Sequence, residues 1–235
     1  MTNTHTLIVD QLDENVKALF NELSDDWDIS FEQWEKDYCE VFTKENKAVI
    51  YYSSEQLSNE TMVHELLHIR LKKYNYSSTN HIWFLNQEHP FFKHVFTKEL
   101  CNHIGNCMEH FKMFPTYHNM GYSPQKFIKN GGELQADLSN LSKIYLKING
   151  KLSGQMVDLY IGNLISIYAD PVKNNYQNHL EILKKKDVEL FGIVTEFWDS
   201  WTKFDLEKQD VIFNNVTALY DKFMNDLETW YLKIN

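Results

Sequence analysis

The run His64-Glu65-Leu66-Leu67-His68 sets two imidazoles four residues apart, with a carboxylate directly after the first. In a helix, residues four apart share a face, so both rings can reach one tetrahedral ion. Glu65 is turned about 100° further round the axis, off the ligand face, where its carboxylate can meet a water held by that ion. The chemistry this pattern points to is metal-assisted hydrolysis, with Glu65 moving the proton. With 10 His and 33 acidic residues among 235, chance gives about 0.06 such matches even if every acid counts as Glu. The plain alternative is a pair of histidines facing solvent on an ordinary core helix.

The elements that must position these residues are legible around them. Ser58 or Asn59 can cap a helix running to about Lys73, and Met62, Val63, Leu66, Leu67, Ile69 and Leu71 give it a broad apolar face. Ahead of it, residues 37–52 predict two strands. The first holds Tyr38, Val41 and Phe42, a polar turn covers 43–47, and Ala48-Val-Ile-Tyr-Tyr52 is β-branched and aromatic. A strand beside a helix bearing H-E-x-x-H resembles the zincin metallopeptidases, over about residues 47–73 plus a later helix that supplies a third ligand. The resemblance implies zinc, peptidase activity, His64 and His68 as ligands, and Glu65 as general base.

Two histidines do not complete a catalytic zinc site; a third protein ligand is needed, with water in the fourth place. The metzincin continuation would need Gly and His three and six residues after His68, where this chain has Leu71 and Tyr74. The gluzincin branch instead takes a Glu from a later helix, and Glu109 is the leading candidate. At about 100° per residue it shares a narrow stripe with Asn102 and Asn106 on a helix otherwise rich in Leu100, Ile104, Phe111 and Phe114. A solvated helix face explains the same stripe without a metal. His110, adjacent and equally suitable as a donor, is the main rival. His103 and Cys107 have i, i+4 spacing but no base beside them, and Cys107 also reads as plain core.

Other residues invite roles with less support. Tyr117, His118 or Tyr122 could stabilise an oxyanion, against packed or surface readings for each. Glu133 and Asp137 could orient a ligand, although acids at helix starts are common. Lys184-Lys185-Lys186 reads as a solvated face, and Phe191, Phe197, Trp198 and Trp201 as core. His5, His81, His89, His94 and His179 carry no readable spacing.

The remaining pattern predicts helices over about 12–23 (capped by Asp10), 97–113 (stopping before Pro115), 133–147, 154–169, 178–204 and 208–233. Residues 74–98 read as aromatic and irregular, and 115–132 as loop. The reading is an α+β fold: a mainly helical, zincin-like single domain, 1–235, with a small β-sheet beside the active-site helix. Its strand-bearing front covers about 1–130 and its helical back half about 131–235. Hydrophobic residues at 43% and aromatics at 14% are enough for a substantial core. A net charge of −10 argues against general nucleic-acid binding and against anionic membranes. Three cysteines, Cys39, Cys101 and Cys107, do not make a disulfide framework. No signal peptide is visible at Met1–His5 and no apolar run approaches a membrane span. The expectation is a cytoplasmic protein acting on a peptide or protein substrate, with its oligomeric state left open.

Overall fold

Asp13 starts the first described helix. Its side chain accepts from the Val16 amide at 3.0 Å, and helix α1 follows over Glu14–Ser24, burying Val16, Leu19 and Leu23. The computed structural model describes residues 8, 11–55, 57–74, 80–208 and 215–234. The Asp10 cap lies outside these, and the helix opens two residues later than its pattern suggests.

Three strands follow: β1 Asp28–Gln33, β2 Glu40–Lys44 and β3 Lys47–Tyr52, in the order β1-β3-β2. β3 pairs parallel with β1 (Ile29↔Ala48, Phe31↔Ile50) and antiparallel with β2 (Val41↔Ile50). Ile29, Phe31, Ala48 and Ile50 are buried, so one face of the sheet faces the core. β1 is an addition to the sequence reading. Its alternation is real, but Asp28, Glu32 and Gln33 flank only two buried apolar residues. The expected turn over 43–47 shrinks to Glu45 and Asn46, with Glu45 at φ 54, and Lys44 pairs with Lys47.

Helix α2, Asn59–Lys72, is capped by Ser58, whose hydroxyl accepts from the Thr61 amide at 3.2 Å. Helix α2 packs on α1 and on β2 and buries all six apolar residues named for it. Beyond it come α3 (Asn80–Asn86), a 3-10 turn at Phe92–His94, and α4 (Lys98–Asn119). α4 does not stop before Pro115; it runs through it. A proline inside a helix costs ~3 kcal/mol, mainly one N–H bond and a steric clash. Burial of Met113 and Tyr117 on the flanking turns offsets a cost of that size.

The rest comprises α5 (Leu138–Ser142), a hairpin of β4 (Lys147–Ile148) and β5 (Lys151–Leu152), α6 (Gly154–Ala169), α7 (Gln177–Lys186), α8 (Val188–Lys203) and α9 (Asn215–Ile234). The helix expected over 133–147 is reduced to α5, because Asp137 caps it late and the chain turns at Asn149 and Gly150, both at positive φ. The helix expected over 178–204 is two, divided at Asp187. That residue ends α7 and caps α8, accepting from the Leu190 amide at 2.8 Å. Of the four aromatics read as core, Phe197, Trp198 and Trp201 are buried and Phe191 is half-buried.

Contacts divide the chain into two compact units: Met1–Lys73 with Lys112–Gly132, and Tyr74–Phe111 with Glu133–Asn235. The first unit holds the three-stranded sheet, α1, α2 and the last turns of α4. The second holds the remaining helices and the hairpin, around Tyr160, Ile161, Leu164, Trp201, Tyr220 and Trp230. One boundary falls near the expected front-to-back division at about residue 130, but the second unit also includes 74–111. The architecture is α+β with helices dominant. Among the described residues no helix is long and apolar enough to cross a membrane.

Among the described residues Cys39, Cys101 and Cys107 form no disulfide. Thiol titration of the denatured, unreduced protein should therefore count all three. In the native protein Cys39 should react first, because burial pushes the Cys101 and Cys107 thiols up to about 12. A missing thiol before reduction would contradict this arrangement.

Candidate metal centre

His64 and His68 stand one turn apart on α2, and their Nε2 atoms are 3.2 Å from each other. The ring centroids are 4.9 Å apart at 67°. Two nitrogens ~2.0–2.1 Å from one zinc at a tetrahedral angle are ~3.3 Å apart, so the pair already has the bite of a chelate. The third member is His110. It stands on α4. His64, His68 and His110 each offer one ligand atom, all within 4.8 Å of one another, and all three side chains are partly buried. Among the described residues the group holds three imidazoles and no fourth protein donor, a number and type of ligand that could hold a metal ion.

Burial pushes His64 down to about 3, the neighbouring His68 adds to this, and a hydrogen bond to the Phe127 backbone acts in the other direction. The ring is therefore neutral at neutral pH, the form a metal takes. Phe127 is itself buried. Its ring lies 4.9 Å from that of His64, 4.8 Å from Tyr117 and 5.3 Å from Phe114. The stretch carrying it is held by Lys126 on Glu60 at 2.6 Å and by Lys129 on Asp37 at 3.1 Å. At Gly131 a Cβ would come within 2.8 Å of the Gln125 carbonyl oxygen, so the turn closes only on glycine. Sequence reading passed over Phe127. Its only signal was one large aromatic between Pro124 and Gly131 in a stretch otherwise read as loop.

Glu65 is 6% exposed. Burial pushes its carboxyl up to about 7, opposed by His68 and by a hydrogen bond from the Val41 backbone. The β2–β3 hairpin closes at Lys44↔Lys47, and ladder alternation then turns the Val41 amide to the open edge of the sheet, where Glu65 meets it. Cys39 lies close enough for the Glu65 charge to raise its thiol pKa further, after burial.

Glu109 is not among the grouped side chains. It is buried, and its charge acts on Tyr220, whose phenol pKa is raised by burial first and by Glu109 next. The stripe that recommended it separates accordingly: Asn102 and Asn106 are exposed. The adjacent His110, the rival donor, is the side chain grouped with His64 and His68 among the described residues. Tyr117 is fully buried and its hydroxyl has no hydrogen-bond partner among the described residues. Tyr122 gives its hydroxyl to both Asp13 oxygens, at 2.9 and 2.8 Å, and His118 is exposed and stacked on Phe114. None of these three joins the cluster. Asp137 caps α5, and Glu133 is exposed. His103 Nε2 sits 2.9 Å from Ser166 Oγ and 3.2 Å from the Gly162 carbonyl, with Cys107 Sγ at 3.7 Å. This is the pattern of a core histidine satisfied by α6.

No family model matches the chain, and neither a curated protein nor a solved structure matches it.

Proposed function

We propose that this chain is a zinc-dependent peptidase in which His64, His68 and His110 hold the ion and Glu65 is the general base. The observation that carries the reading is the convergence of three imidazoles within 4.8 Å, two of them 3.2 Å apart on one helical turn with an acid after the first. When bound, zinc supplies a lowered pKa for water and polarisation of the scissile carbonyl. Glu65, shielded from bulk solvent and with its pKa near 7, suits a group that takes a proton from water and returns it to the leaving amine near neutral pH. The hydrogen bond from the Val41 amide restrains the carboxylate's direction.

A second reading has its own support. A carboxylate that is 6% exposed and already bonded to a backbone amide can serve as structure, which would make the cluster a metal-binding module without hydrolysis. Metal analysis and a peptide-cleavage panel separate the two. Protein purified without chelators and supplied with zinc should carry about one ion per chain and cleave a member of the panel. An empty site sinks both readings, whereas a filled site with no cleavage by protein in excess over every peptide favours the second.

A further inference from the structure

The second unit carries a surface that the metal reading leaves unused. Lys186, at the end of α7, donates to the Ser142 and Ile144 carbonyls at 3.0 and 2.7 Å. These bonds bring the end of α7, with the exposed Lys185, beside residues 142–144, which lead into the β4–β5 hairpin, while Lys184 turns to the Phe191 ring, 6.0 Å away. Residues 143–152 contain Lys143, Lys147 and Lys151 and no acid, in a chain whose net charge is −10. Lys147 reaches the Ile234 carbonyl at 3.1 Å, so its side of the hairpin faces the end of α9. Ile148 points the opposite way, is 51% exposed, and pairs across the strand with Lys151. Tyr145 nearby is 66% exposed.

We propose that this hairpin and the last turn of α7 form a docking surface for an anionic lipid bilayer. An exposed apolar tip with Lys151 paired across from Ile148, and with Lys143 and Lys185 on the segments that lead to it, combines the two signals that hold a protein at an interface: a wedge for the headgroup boundary and charge for the anionic leaflet. Acids nearby reduce the field without cancelling it. Glu181 lies 4.0 Å from Lys185, Asp137 is within electrostatic reach of Lys143, and Glu189 is matched by Lys233. The remaining acidic charge of the chain is screened beyond ~10 Å at moderate salt. Nucleic acid fits less well. The patch offers ammonium groups and no guanidinium fork, and Lys186 already lies 5.5 Å from the centroid of the Tyr145 ring, over the face a base would stack on. An exposed isoleucine gains nothing against phosphates.

The test is co-sedimentation of the full chain with vesicles of phosphatidylcholine alone and of an equal mixture with phosphatidylglycerol. The chain should bind the mixed vesicles only, and less as salt rises. Lys151→Glu with Lys185→Glu should weaken binding by about 25-fold or more, at ~5-fold for each lysine lost. Ile148→Asp should weaken it about tenfold. All three positions are on the surface, and unchanged thermal melts would show that the fold is intact. No binding to the mixed vesicles, or binding that every variant retains, overturns the proposal. So does a single-stranded oligonucleotide that binds the Ile148→Asp variant as well as the parent and strips it from vesicles, since that describes a general polyanion site.

Discussion

His110→Ala should cost the protein its zinc, and Glu109→Ala should not. The two positions are adjacent on one helix, so general damage to α4 predicts similar losses for both, whereas ligation predicts a large difference. Zinc held by protein donors is worth about 10–16 kcal/mol, so removing one of three protein donors should weaken binding on the order of 10³-fold. His64→Ala and His68→Ala should match it. Glu109→Ala leaves the three imidazoles in place and should change affinity little, although loss of a buried carboxylate beside Tyr220 should lower the melting temperature. Competition with a chromophoric chelator measures both affinities. If Glu109→Ala empties the site while His110→Ala keeps it, the ligand set is wrong and the gluzincin-like set returns.

Glu65→Gln should split activity from stability. Loss of the proton acceptor should lower hydrolysis by about 10²–10⁴-fold while zinc stays bound. In the metal-free protein the same change should stabilise the fold at alkaline pH. The native carboxyl pKa is raised, so the stability it contributes is fully present below its unfolded value of 4.5 and is lost as pH rises through about 7. That difference corresponds to about 3 kcal/mol, and glutamine removes it. The variant should thus be the more stable protein at pH 8 by up to about 3 kcal/mol, and equal to the parent near pH 4. His64 has the opposite slope, since its native pKa is lowered and stability falls as pH drops below 6.5, but it is common to both proteins and cancels in the difference. Urea melts of both proteins at the two pH values decide it. Equal stability at pH 8 would mean that Glu65 is solvated, and unimpaired cleavage would remove it as the base.

Sequence alone carried the capped α2, with its two histidines, and α6 almost to the residue, and the β2–β3 hairpin in outline, because each has a strong local signal: a cap, an i, i+4 pair, a β-branched run. The misses share a cause. β1 hides among acids, and its two apolar residues acquire meaning only from the register with Ala48 and Ile50. Pro115 is a local stop signal overridden by burial on either side. Choosing between Glu109 and His110 turned on about 100° of helical azimuth. One-dimensional spacing places both near a polar stripe, and of the two only His110 groups with the α2 histidines. Lys186, read as part of a solvated face, instead bonds to the Ser142 and Ile144 carbonyls, some forty positions away.

The first unit is written in two pieces, with residues 74–111 between them. This has a consequence for the order of events during synthesis. α2, with His64 and His68, leaves the ribosome well before His110, and earlier still than Phe127, whose ring packs on His64. Closing that unit requires the intervening segment to be made and its ends brought together, a long-range step that folds slowly relative to local helix formation. Under the proposed ligand set, metal capture by all three imidazoles must likewise wait for the segment that carries His110. Until then, two imidazoles on a newly formed helix are open to any ion the surroundings supply.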